Sequence, residues 1–193
     1  MRCRLAYRPD CIGYCYNRSN QQFDDVQLIM HSINDACLCA RVSFRDPDEV
    51  VRLWRYLNLL HLGAYCGLTE ELSEANFFMP VADQYGLLSS GPIREEEMAA
   101  IKRVRLDENG SRACSMFEVW AFEIVKGEAR RTADGDGDLY PPIQARLQEE
   151  IVRVGVCIKR LFAYRYQVGL GALLDKGRLL GRPPASHSQH ARC

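Results

Sequence analysis

The sequence predicts an all-α fold: a helical bundle of about five to six helices with irregular connectors and a disordered C-terminal tail. Three observations predict it. Apolar residues recur at three- and four-residue steps over several long stretches, the spacing of one helical face. Those stretches are separated by helix-start and turn signals at Asp46-Pro47, Ser89-Ser90-Gly91-Pro92 and Ala133 to Asp138. No run of residues carries the alternation of a half-buried strand, and no internal repeat is present.

The chain has 193 residues, 47% of them hydrophobic and 26% charged, enough to bury one core and too apolar for a disordered chain. Lys plus Arg number 25 and Asp plus Glu 25. This balance leaves no global field that points to nucleic acid, an acidic membrane surface or a polyanionic substrate. Charges interrupt every apolar window before it reaches the roughly 18 to 20 residues a spanning helix needs, so the chain itself reads as soluble or peripheral. Met1-Arg-Cys-Arg-Leu-Ala-Tyr-Arg-Pro-Asp has charge without an apolar stretch behind it, so no secretory signal is expected. The nine cysteines are scattered and odd in number; without export they read as reduced thiols.

The first helix is expected from about Gln22 to Ser43, with Phe23, Val26, Ile29, Met30, Ile33, Cys37 and Ala40 on one face. The second should start at Asp46-Pro47-Asp48-Glu49. Asp46 can accept free N–H groups of the first turn, Pro47 suits the first helical position, and Glu49 can reach back as in a capping box. It continues through Leu53, Trp54, Leu57 and Leu60, with Gly67 as its stop. Thr69 to Leu72 opens a short helix that Pro80 ends. Pro92 and the Glu95-Glu96-Glu97 run open an exposed helix, closed by a turn at Asp107-Glu108-Asn109-Gly110. A further helix covers about Ser115 to Arg130, with Phe117, Trp120 and Ile124 on one side. Ala133 to Asp138 then forms a solvated loop and the best candidate hinge. The strongest periodicity follows, as Ile143, Leu147, Ile151, Val154, Ile158 and Leu161 make the stripe of a long amphipathic helix that needs a partner surface. After Val168 the pattern dissolves into the glycine-rich and Ser/His tail.

Motifs that would carry chemistry fail on spacing. Asp134, Asp136 and Asp138 resemble the start of a calcium loop, but the sixth and twelfth positions hold Leu139 and Ala145, where glycine and a bidentate acid are required. Cys37-x-Cys39 beside His31, and Cys11-x3-Cys15, lack the spacing of a closed zinc site, and His187-x2-His190-x2-Cys193 sits on a tail that fixes no geometry. No nucleophile elbow, phosphate-cradling loop or metalloprotease helix occurs, so no catalytic residue is assigned and no enzyme is expected. Asn17-Arg-Ser19 and Asn109-Gly-Ser111 match the glycosylation pattern and read as polar turns.

Within the second helix, Arg55-Tyr56-Leu57-Asn58-Leu59 looks like the R-Y-x-N-L segment of the bestrophins. Asn17 to Phe23 upstream is similar to the end of that family's second spanning helix. Met79-Pro80 to Leu88, followed by Glu95-Glu96-Glu97, is similar to its connector and acidic helix. The Trp120 helix falls where bestrophins carry a tryptophan-rich one, and Pro142-Ile143 precedes a long helix ending in Leu161-Phe162-Ala163-Tyr164, like the family's L-Y-A-Y. The resemblance covers residues 14–168, leaving 1–13 as an N-terminal extension and 169–193 as the disordered tail. It implies a membrane-located subunit of a homopentameric, calcium-activated chloride (anion) channel. Its partners would be other copies or other bestrophin-like subunits. The chain is expected to be truncated at both ends and non-conducting alone, because the spans are missing. The family's calcium-clasp residues fall outside this sequence, so no cofactor is assigned to it. Ile143 is the nearest apolar candidate for the family's lower pore constriction, and it reads equally as a core position of the stripe. The alternative reading is a soluble, all-helical interaction module that binds partner helices.

Overall fold

The computed structural model describes residues 9–66, 68, 71–88, 95–103 and 106–180, with 9–15, 95, 98, 102, 107–111 and 165–180 described in backbone only. Every element among them is helical: α1 (Pro9–Ser43), α2 (Pro47–Tyr65), α3 (Met79–Gln84), α4 (Glu95–Arg103), α5 (Leu106–Ala133) and α6 (Pro141–Leu180), with one π-helical turn over Glu74–Phe78 leading into α3. The predicted all-α class is therefore the observed one.

Helix α2 starts as its sequence dictates. Asp46 is extended, at φ −94° and ψ 111°, and its carboxylate accepts the Asp48 N–H at 2.9 Å, with Pro47 in the first turn. Glu49 does not close a capping box. Its two oxygens accept from Arg52 Nη1 at 2.9 and 2.8 Å, because a charge-assisted bond to a guanidinium outweighs one to a backbone amide.

The core forms around α2, which buries Leu53, Tyr56, Leu57, Leu59, Leu60 and Ala64 and packs against α1 on one side and α5 on the other. Helix α5 runs antiparallel to α2. Trp120 meets Tyr56 with ring centroids 5.4 Å apart, and Gly63 packs beside Cys114, where an added Cβ would stand at contact distance, 3.4 Å from Sγ. Helix α6 lies antiparallel to α1, fixed by Arg160–Asp25 at 3.2 Å and Arg146–Asp35 at 3.7 Å. Its stripe of Leu147, Ile151, Val154, Ile158 and Leu161 is buried as the periodicity predicts, at about 1.5–3 kcal/mol per large side chain. Glu150, also buried, is held between Arg146 at 2.6 Å and Arg153 at 3.0 Å.

Several boundaries differ from expectation for identifiable reasons. Helix α1 starts at Pro9 rather than near Gln22, since nothing after Pro9 breaks the helix and proline suits a first turn. On α1, Ile29, Ile33, Ala36 and Ala40 are buried, whereas Phe23 is 63% exposed and Met30 is exposed too. Those two stand about 100° round the helix from the buried arc, so steps of three and four joined positions that do not share a face. Pro80 opens α3 instead of ending a helix. The expected turn at Asp107–Gly110 is helical and belongs to α5, where burial of Leu106, Ala113, Cys114 and Phe117 in one helical register overrides the poor propensity of Asn109-Gly110. The Leu106 N–H is capped from another element by Glu74 Oε2 at 3.3 Å.

Helix α5 ends in a Schellman motif. Gly135 has φ 82°, its N–H donates to the Thr132 carbonyl at 3.1 Å and the Asp136 N–H to the Arg131 carbonyl at 2.9 Å. The same pattern closes α3 at Gly86, φ 64°. The loop after Gly135 is exposed at Asp134, Asp136 and Asp138, as expected. It is also tied down, by Arg45–Asp136 at 2.6 Å and by the Leu139 N–H donating to Thr132 Oγ1 at 2.9 Å.

The chain divides into two compact units, Met1–Phe162 and Ala163–Cys193. The first holds the bundle described above. In the second, the backbone continues as helix to Leu180, so the boundary expected at Val168 falls within α6. Gly169 and Gly171 each cost about 1 kcal/mol in a helix, and Leu170, Ala172, Leu173 and Leu174 between and after them are strong helix formers. Residues 181–193 of the expected tail, the Gly67 stop and Thr69 lie outside the described residues.

Candidate functional site

Three helices enclose a cleft of about 780 Å³. Helix α2 supplies Glu49, Arg52 and Tyr56, which its three- and four-residue steps place on one face. Helix α4 supplies Glu96, Glu97 and Ala100, and α5 supplies Trp120, Glu123, Ile124, Lys126, Gly127, Arg130 and Arg131. Trp120 is half-buried at its inner end, against Tyr56 and against Phe117 at 5.7 Å.

A charged network forms the inner wall. Arg52 is gripped by Glu49 and by Glu97, whose oxygen lies 3.2 Å from Nη2, so α4 is tied to α2 through this guanidinium. Burial pulls the Arg52 pKa down, but the Tyr56 hydroxyl and the two carboxylates leave it above its ordinary value. Burial pushes Tyr56 up to about 12, so it stays a neutral phenol. Arg131 donates to Glu128, one turn back on α5 and 1% exposed, and stands 3.7 Å from Glu49 and 3.9 Å from Asp46. Burial raises Glu128 against the opposing pull of Arg131.

Arg55 is the anomaly of the molecule. It is 1% exposed, and Nε, Nη1 and Nη2 have no hydrogen-bond partner among the described residues. Burial lowers its pKa, with Tyr56 and Glu97 acting in the other direction. The R-Y-x-N-L resemblance drew attention to this residue, but nothing in the spacing marks it as buried and unpaired.

A second, more apolar groove of about 470 Å³ lies between α1 and α2, lined by Asn34, Cys37, Leu38, Arg41, Val50, Val51 and Trp54. Along α1 it runs on into an uncovered flank. Tyr16, Phe23, Met30, Leu38 and Val42 all stand exposed, with Leu38 at 60%.

The residues singled out from the sequence do not converge. Ile143 is half-buried in the first turn of α6 and lies outside both clefts. Cys37 lines the apolar groove, where burial pushes its thiol up to about 11, and Cys39 is half-buried near it on α1. His31 is exposed, and His187, His190 and Cys193 lie outside the described residues. Sequence reasoning missed the Arg52–Glu97 link, whose only signal was an acidic run on a helix of its own. Among the described residues no group of three or more His, Cys, Asp or Glu side chains is placed to hold a metal ion, and no helix is long and apolar enough to cross a membrane.

No family model, curated protein or solved structure matches this chain.

Proposed function

We propose that this chain is a bestrophin-like anion-channel segment whose own work is association: it seats against other subunits, copies of itself included, through the uncovered flank of α1. The observation that carries the reading is that α1 is apolar on two flanks. One buries Ile29, Ile33, Ala36 and Ala40 in the bundle, and the other leaves Tyr16, Phe23, Met30, Leu38 and Val42 exposed. A helix apolar on both sides is built to lie between two partners, and exposed apolar residues that recur along one flank mark an interaction surface. The ordered resemblance supports the identity of the partner, since Asn17 to Phe23 on α1 is similar to the end of the bestrophin second spanning helix and α2 carries Arg55 to Leu59. Chloride, a membrane location and a constriction at Ile143 belong to the same proposal.

The test is co-purification of the chain with a full-length bestrophin, together with light scattering of the chain alone. The proposal expects capture and an assembly larger than the monomer, both lost in a Phe23→Ser, Leu38→Ser variant. A monomer that ignores the full-length relative removes it. The second reading, a stand-alone module for a partner helix, is favoured by the apolar groove beside Trp54, which has the lining of a helix-accepting surface.

A further inference from the structure

A seven-residue repeat runs along the uncovered flank of α1. Tyr16, Phe23, Met30 and Cys37 stand seven residues apart, the first three exposed and Cys37 half-buried. Four residues after each of the first three comes a side-chain amide: Asn20, Gln27 and Asn34. Two columns offset alternately by four and three residues are the d and a positions of a coiled-coil seam. The bundle does not use them. None of the three amides makes a side-chain hydrogen bond among the described residues, and Ile29, Ile33, Ala36 and Ala40 are buried on another flank.

The two columns also set how a partner helix lies. Between parallel, in-register helices a faces a and d faces d, so amide meets amide and apolar meets apolar. Antiparallel helices alternate a against d, which sets each amide against an apolar side chain and leaves its hydrogen bonds unmade, at about 1–3 kcal/mol each. Only a helix with the same succession of amides and apolar residues matches at every layer, and α1 of a second copy is such a helix. Charge agrees with this. From Tyr16 to Cys37 neither column carries a charge, so two copies meet no like-charge repulsion along the seam; Arg41, next in the amide column, ends it. At that end the seam runs into the groove beside α2, where Asn34 and Cys37 face the same space as Val50, Val51 and Trp54. Each copy's groove therefore receives the last turns of the other's α1. Strict seven-residue spacing drifts by about 20° per heptad on a straight helix, so the pair takes a shallow left-handed crossing.

We propose that α1 pairs with α1 of a second copy, parallel and in register, as a short coiled coil in which Phe23 and Met30 form apolar layers and Asn20, Gln27 and Asn34 form matched amide layers. The pairing rests on the reading of α1 as the association surface, and adds to it the direction and register of the partner. Amides at a positions fix register at a cost in strength, so the pair is selective rather than tight.

The test places charge at one layer. Asn34 is exposed, so Asn34→Asp and Asn34→Lys should each keep the thermal midpoint of the monomer while weakening self-association at least tenfold in concentration-dependent light scattering. An equimolar mixture of the two variants should return to within about threefold of wild type, because parallel, in-register pairing sets the two opposite charges face to face. A cross-link reads the same geometry. In a chain that keeps only the buried Cys66, Cys114 and Cys157, Met30→Cys should form a disulfide-linked dimer at least tenfold faster than Gln21→Cys, an exposed position away from the seam, with copper phenanthroline and oxygen taking up the two electrons. Wild-type association without rescue in the mixture, or with equal cross-linking at both positions, overturns the parallel pair and leaves the α1 flank as a surface for a different geometry. A wild-type chain that is monomeric at every concentration overturns the association reading and the pair together.

Discussion

Arg52 on α2 donates to Glu97 on α4 at 3.2 Å, and the same carboxylate acts on Arg55, one turn further along α2, whose buried guanidinium has no acceptor among the described residues. Glu97 thus bonds Arg52, which Glu49 also holds, and acts on the buried Arg55 without bonding it. Glu97→Gln should destabilise the fold by about 2–4 kcal/mol, because it strands charge already removed from water. Arg55→Met, which replaces the unpaired cation with a flexible apolar chain of similar length, should stabilise by about 1–3 kcal/mol. Urea unfolding of both variants and their double mutant checks this. The cost of Glu97→Gln should shrink in the Arg55→Met background, and a destabilising Arg55→Met would show that the guanidinium has a partner.

The loop between α5 and α6 should be intolerant of small changes despite its exposed acids. A Cβ at Gly137 would stand 2.9 Å from the Thr132 backbone nitrogen and 3.1 Å from its Cα, atoms that cannot swing aside. Gly137→Ala is expected to cost about 1–3 kcal/mol, the range of overpacking. Arg45→Ala, which removes only an exposed ion pair, should cost under about 1 kcal/mol. Thermal midpoints of the two variants separate a fixed loop from a free hinge, for which both substitutions would be silent.

Burial holds His61 down at about 4 from its ordinary 6.5, with Tyr65 Oη 2.9 Å from Nε2. Below pH ~6.5 the unfolded chain takes up a proton that the folded one refuses until pH ~4, so stability should fall as pH drops through that window, by on the order of 3 kcal/mol in all. His61→Gln should flatten this acid limb. Glu128, raised by burial, works with the opposite sign in the same region, so the quantity to read is the difference between wild type and variant across pH. Parallel pH profiles would remove His61 as the cause.

The two flanks of α1 should separate stability from association. Ile29→Ala, at a fully buried position, is expected to cost about 2–4 kcal/mol. Phe23→Ser should leave monomer unfolding within about 0.5 kcal/mol of wild type, the range of a surface change, while lowering the concentration-dependent mass seen by light scattering. Equal losses of stability from both would place Phe23 in the core.

Burial of Leu147 to Leu161, the Asp46-Pro47 start of α2 and the break after Ala133 follow from local rules: apolar periodicity, a capping side chain, and glycine in the left-handed region. Each needs only neighbours within one or two turns, so the sequence by itself determined them, and with them the all-α class. Tertiary structure alone decided which flank of α1 is covered, that Asn109-Gly110 is helical, and that Glu97 reaches Arg52 from 45 residues away. Those outcomes depend on which helices become neighbours, and neighbours are chosen by the summed burial of the whole bundle rather than by any one segment's preference. Which of the charges lining the cleft are engaged was illegible for the same reason, since whether a carboxylate is spent depends on what another helix brings to it.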